Sequence, residues 1–219
     1  MLKGLQEIGQ IVLYARAFNP HNWNQPPMEI QSLLRSVKQL FALLDERSVD
    51  YVLVGGIALL NYIEGRNTQD LDLIMSKVDL AKLPEIRFIQ QDNPYFVQGN
   101  FAELRIDILL TQNPIFQLIK EKYTDKQPFL EQKISIAKVE GLLLLKLYAL
   151  PSLYRQGDFI RVNLYENDIA SLLYLYDSNV NLIIETLAKY IGEGDLISIK
   201  GILKEIQGRI KRFRANSSV

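Results

Sequence analysis

The stretch Tyr51–Met75, YVLVGGIALLNYIEGRNTQDLDLIM, constrains this chain more than any other. An apolar strand runs into a glycine pair, Gly55 and Gly56, and then a short helix from about Ile57 to Tyr62. Gly65 is placed to cap that helix, and a second strand, Asp70–Met75, follows the turn. Side chains two apart on a strand point the same way. Asp70 and Asp72 therefore stand side by side on one face, with Leu71 and Leu73 turned to the core. Like charges that close repel unless a cation sits between them. A hard divalent ion with oxygen ligands, most simply Mg²⁺, fits that need. A glycine turn opening a helix offers backbone N–H groups to an anion. Metal plus phosphate is the chemistry implied.

A third carboxylate comes from a later strand. In Glu103–Leu110, ELRIDILL, the residues Leu104, Ile106, Ile108 and Leu110 share one face, and Arg105 and Asp107 share the other. The remaining elements frame this core. Residues 29–47 carry apolar positions at helical spacing, from Ile30 to Leu44, opposite a polar face. Residues 1–18 read as an amphipathic helix, and NPHNWNQPP at 19–27 breaks regular structure. DLAKLPEIRFIQ and NPYFVQG read as a helical turn followed by irregular or strand structure. Pro114–Tyr123 reads as a helix and Lys133–Ala137 as a last short strand. From Lys138 onward the pattern is helical, with Pro151 expected to end or bend the first of these helices.

The composition removes whole classes of chemistry. At 219 residues the chain has room for one domain, or a main domain with a smaller lobe. It holds no cysteine and one histidine, His21, so thiolate zinc sites, disulfides and Ser/His/Asp or Cys/His triads lack their material. Twenty-five basic residues balance 25 acidic ones, whereas a protein that coats nucleic acid is usually more basic. The basic C-terminal stretch KGILKEIQGRIKRFR reads first as a solvated helix face. No signal peptide is expected at the N-terminus. The apolar run at 141–150 is far below the roughly 20 residues that span a bilayer, so a cytoplasmic protein without membrane contact is expected. There is no G-x-G-x-x-G and no G-K-[ST], which disfavours dinucleotide and Walker loops.

Several residues carry two readings. Lys146 has Leu142, Leu143, Ala149 and Leu150 as its helical neighbours, so its ammonium must snorkel outward or meet an anion. That anion is a triphosphate in one reading and a structural Asp or Glu in the other. Arg66 and Thr68 lie on the turn into Asp70, where Arg66 can hold a carboxylate, touch phosphate or simply face solvent. Asp168 is a helix N-cap or first-turn acid on one reading and a catalytic group on the other. The eleven tyrosines and Trp23 read as packing rather than base-stacking platforms.

With Gly55, Gly56, Asp70, Asp72 and Asp107 in place, the chain resembles the nucleotidyltransferase superfamily that shares the DNA polymerase β-like catalytic fold. Its pattern is an apolar strand, a Gly-Gly or Gly-Ser pair, about ten residues, and an acid pair split by one apolar residue. Within the superfamily, RNTQDLD resembles the R-x-T-x-D-h-D of the AbiEii-type branch, and KVEGLLLLKLYAL is similar to that branch's lysine-bearing helix. The resemblance covers about residues 30–175. One departure falls at 164–169, LYENDI, where Leu164 and Tyr165 replace a basic–acid pair and Asp168 is kept.

The resemblance implies an α/β (α+β) fold: a mixed nucleotidyltransferase sheet flanked by helices, then a C-terminal helical lobe. The expected divisions are an N-terminal helix or arm at 1–28, a catalytic core at 29–137 and the lobe at 138–219. It implies transfer of a nucleoside monophosphate from an NTP to an acceptor hydroxyl. Asp70, Asp72 and Asp107 would hold two Mg²⁺ ions, and Asp107 would also help deprotonate the acceptor. Gly55, Gly56, Arg66, Thr68 and Lys146 would bind the nucleotide, with Asp168 a further candidate. The implied acceptor is a tRNA 3′ end or a protein, in a toxin–antitoxin setting with a cognate partner. The alternative is a catalytically silent module that binds a partner protein. Catalysis requires the three acids to meet with no basic side chain filling the space between them.

Overall fold

The computed structural model of the chain describes residues 30–64, 68, 70–89, 93–129 and 132–216. The expected N-terminal helix, His21, Trp23, the Gly65 cap and Arg66 lie outside those residues. The chain divides into two compact units, residues 1–138 and residues 139–219.

The first unit is built on a mixed sheet of seven strands flanked by helices. Helix α1 (Ile30–Glu46) leads into β1 (Tyr51–Val54), α2 (Gly55–Leu59), β2 (Asp70–Met75) and α3 (Lys77–Leu80). Strands β3 (Arg87–Ile89), β4 (Phe96–Phe101) and β5 (Leu104–Leu110) follow, then α4 (Pro114–Lys122), β6 (Thr124–Phe129) and β7 (Gln132–Ala137). The spatial order is β3-β4-β5-β2-β1-β7-β6. The β1–β7 and β2–β5 pairs are parallel and the others antiparallel.

The alternation in β5 is followed by burial, with Leu104, Ile106, Ile108 and Leu110 all inside and Arg105, Asp107 and Leu109 only partly covered. In β2 the alternation holds at one end only. Leu71 and Leu73 are buried and Asp70 and Asp72 are half-buried, but Ile74 is as buried as its neighbours. The polar face of the sheet is therefore open at the start of β2 and closed at its end. Val37, Leu40, Phe41 and Leu44 of α1 supply one apolar stripe to the core, as their spacing predicts.

Local expectations need correction at β1 and β6. The glycines do not end β1; the strand stops at Val54 and Gly55 and Gly56 already form the first turn of α2. Strand β6, TDKQPF, carries no apolar alternation and was not anticipated. It lies at the sheet edge, paired with β7 alone, where Pro128 needs no outward N–H bond. Near the other edge, β4 and β5 form a hairpin that turns at Ala102 and Glu103.

The second unit is helical: α5 (Val139–Gln156), α6 (Phe159–Leu175), α7 (Val180–Leu187) and α8 (Glu193–Asn216). Pro151 does not end α5, which continues to Gln156. The ring is buried beside Leu147, Leu150 and Leu153, and that packed apolar face holds the helix past the missing N–H. Helix α6 starts much earlier than its sequence pattern indicates, with Asp158 as N-cap accepting from Arg161 N at 3.1 Å. Asp168 is consequently a buried mid-helix residue, which removes its reading as a cap. Among the described residues no helix is long and apolar enough to cross a membrane.

Candidate active site

Register places the charged residues. In the parallel β2–β5 pair, Asp70 stands opposite Arg105 and Asp72 opposite Asp107. Residues two apart share a face, so these four side chains form a square on one side of the sheet. The β4–β5 hairpin extends it, setting Asn100 beside Arg105 and Gln98 beside Asp107. Gln98 Nε2 donates to Asp107 Oδ2 at 3.3 Å. On the other side, β1 sets Val54 opposite Asp72, so the chain leaving β1 passes directly over that carboxylate.

That passage explains the glycine pair. Gly55 has φ +66°, in the left-handed region, and a Cβ there would lie 1.9 Å from Asp72 Oδ2. A Cβ on Gly56 would lie 2.6 Å from both Cβ and Oγ1 of Thr68. Only bare backbone fits against the acid strand and the turn that feeds it. Thr68 Oγ1 in turn donates to the Asp70 carbonyl at 3.3 Å, fastening the turn to the start of β2. Gly55, Gly56, Thr68, Asp70, Asp72 and Asp107 are thus brought together in the first unit.

Arg105 is the residue that the sequence reading left without a role. Its Nε lies 3.4 Å from Asp70 Oδ1 and 3.8 Å from Asp107 Oδ1. Among the described residues, the cation placed beside these acids is a guanidinium from the protein itself. The signal was present in the sequence, since Arg105 precedes Asp107 by two and shares its face. The chemistry of the donor set, carboxylates at paired positions of neighbouring strands, suits a hard divalent ion. The placement suits it in part: Arg105 stands against two of the acids, and among the described residues no three acidic groups converge to hold a metal.

Lys146 and Asp168 form a charged pair within the helical unit. Lys146 Nζ meets Asp168 Oδ2 at 2.7 Å, with side-chain exposures of 7% and 4% that mark a sealed ion pair. The same ammonium lies 4.1 Å from the centre of the Tyr165 ring, a cation–π contact. Of the two anions open to Lys146, the structural aspartate is the one present here.

No family model and no curated protein matches this sequence. Solved structures do. The chain is similar to an antigenic nucleotidyltransferase-like protein from Paracoccidioides brasiliensis, with 18% identity and a TM-score of 0.53 over 80% of this chain and 89% of that one. It also matches the antibiotic-resistance factor ANT(2'')-Ia in solution, at 12% identity and TM-score 0.47 over 85% of this chain and 98% of that one. The crystal structure of ANT(2'')-Ia in complex with adenylyl-2''-tobramycin matches at 10% identity and TM-score 0.46, over 75% of this chain and 95% of that one. The chain has the mixed α/β fold of nucleotidyltransferase-like proteins.

Proposed function

We propose that this chain is a Mg²⁺-dependent nucleotidyltransferase that moves a nucleoside monophosphate from an NTP to an acceptor hydroxyl. One observation carries the assignment: Asp72 and Asp107 face each other across β2 and β5 while the Gly55 backbone presses on Asp72. Asp70, Asp72 and Asp107 are the residues that would hold Mg²⁺. Bound there, it would neutralise charge on the triphosphate and on the oxygens entering and leaving phosphorus. The backbone at Gly55 and Gly56 lines the same corner and can approach phosphate closely, having no side chains to hold it off. Asp107 accepts the proton of the acceptor hydroxyl as its oxygen attacks the α-phosphorus. The bond to the bridging oxygen breaks, and pyrophosphate leaves with that electron pair.

The acceptor proposed is a tRNA 3′ end or a protein hydroxyl, in a toxin–antitoxin pair of the AbiEii type. The motif RNTQDLD and the lysine-bearing helix support that branch. An aminoglycoside is the small-molecule competitor. The decisive assay incubates the protein with Mg²⁺, each α-labelled NTP, total tRNA and protein extract. Label should appear in one acceptor band and be abolished by Asp70→Asn with Asp72→Asn in a protein that still folds. Retained transfer in that double variant refutes the assignment.

A second reading, a catalytically silent module that binds a partner protein, is favoured by two features. Arg105 already stands against two of the acids, and Lys146 is engaged by Asp168 under Tyr165, one of the two residues departing from the branch pattern. Titration with Mg²⁺ and each NTP separates the two. A silent module binds none of them and associates tightly with the product of a neighbouring gene.

A further inference from the structure

We propose that Arg105 is a resident counter-cation of the acid cluster, which a divalent ion must displace before it can bind between Asp70 and Asp107. The inference rests on the metal reading above and adds a self-competitor to it. Its basis is register. Asp70, Asp72 and Asp107 occupy three corners of the square formed across β2 and β5, and Arg105 occupies the fourth. A guanidinium stays charged throughout the working pH range, so it neutralises the corner whenever no other cation does.

The manner of its attachment says that it can leave. Its Nε is buried, yet among the described residues it makes no hydrogen bond of good geometry. The approaches to Asp70 and Asp107, at 3.4 and 3.8 Å, are charge contacts only. A guanidinium built to stay on a carboxylate normally forms a two-pronged hydrogen-bonded fork. Arg47 does this in the same unit, donating through Nη1 and Nη2 to the two oxygens of Glu85. The Arg105 side chain is 43% exposed, which leaves it room to swing toward solvent. Arg105 and a divalent ion thus compete for the same carboxylates, one covalently tethered and loosely held, the other free. Only one can neutralise the Asp70–Asp107 corner at a time. Resting affinity for the metal is lowered, and Arg105 eases the repulsion between the neighbouring carboxylates.

Mn²⁺ serves as the probe, with its free concentration followed by electron paramagnetic resonance. The proteins are wild type, Arg105→Gln, Arg105→Met, Arg105→Lys and the double variant Arg105→Gln with Asp72→Asn. Thermal melts confirm that each folds. The expected result is a Kd about fivefold lower for Arg105→Gln and Arg105→Met, a Kd near wild type for Arg105→Lys, and loss of binding in the double variant. Wild-type binding that is unchanged or weakened by Arg105→Gln and Arg105→Met overturns the inference and leaves the metal reading standing. No Mn²⁺ binding by any of the proteins overturns the metal reading and the inference with it.

Discussion

The two charged clusters of this protein use the same kinds of group in opposite ways. In the helical unit, Lys146 and Asp168 are buried, 2.7 Å apart and covered by the Tyr165 ring. In the sheet unit, Asp70, Asp72, Asp107 and Arg105 stand half-open, with the cation 3.4 and 3.8 Å from two of the acids. A sealed pair has paid the desolvation of both charges and cannot tolerate losing one. The more open cluster leaves the Arg105 and Asp70 side chains 43% and 31% exposed, although Arg105 Nε and Asp107 Oδ1 are themselves buried, so its members can change partners at smaller cost. The sealed pair specifies how α5 and α6 meet, and the open cluster is equipped to receive a ligand.

Substitutions should separate the two, and the largest effect is expected at the sealed pair. Asp168→Ala strips the buried ammonium of its carboxylate and should destabilise the protein by about 3–5 kcal/mol in urea denaturation. Replacing both partners, Lys146→Met with Asp168→Leu, should restore most of that loss. If Asp168→Ala costs less than about 1 kcal/mol, the pair is not structural in the sense argued here.

Next comes the wall of the open cluster. Gly55→Ala places a side chain at φ +66°, worth about 1–2 kcal/mol by itself, and drives its Cβ into Asp72. Calorimetric melting should show a loss of at least that size, accompanied by loss of Mn²⁺ binding as Asp72 is pushed aside. A stable Gly55→Ala protein with full metal affinity would mean that the backbone there has slack.

Asp79 lies between the two extremes. Burial pushes its carboxyl up, but Lys82 Nζ at 2.8 Å, Ser76 Oγ at 2.7 Å and the Asp50 N–H at 3.2 Å outweigh it, leaving the pKa below the usual aspartate value. A lowered folded pKa means that the stabilisation is complete above the ordinary carboxylate range and is lost as pH falls through the folded value. Asp79→Asn should therefore cost about 1 kcal/mol at neutral pH, with the difference from wild type vanishing in strong acid. A difference that grows as pH falls would reverse that sign and refute the account.

The smallest effect on stability should come from the acids of the open cluster. Asp72→Asn removes one of several crowded like charges and should shift stability by no more than about 0.5 kcal/mol, while abolishing nucleotidyl transfer. Large destabilisation by Asp72→Asn would place the cluster with the sealed pair, as structure.

Much of this arrangement is legible in the sequence. Alternation at Leu104–Leu110 and the D-L-D-L run at Asp70 give strand and facing because a strand's period is two. Pairing between strands was not legible, and with it went Arg105. Its position beside Asp107 was plain, but that it faces Asp70 depends on β2 and β5 being parallel neighbours in one register. Strand β6 was invisible because an edge strand with one partner needs no apolar alternation. The start of α6 was missed because the residues ahead of Asp168 carry mixed polarity. Phe159 and Ile160 are exposed, so periodicity there does not report a buried face.

Local chain chemistry alone set the glycine elbow, the acid pair and the helical tail, since each follows from the period and conformational range of a few successive residues. Tertiary structure alone decided which charges meet. Asp168 reached Lys146 and Arg105 reached Asp70 across long stretches of chain, through packing of helices and register of strands. Sequence separation carries no information about such meetings, because side-chain electrostatics act over a few ångströms in space and not along the chain.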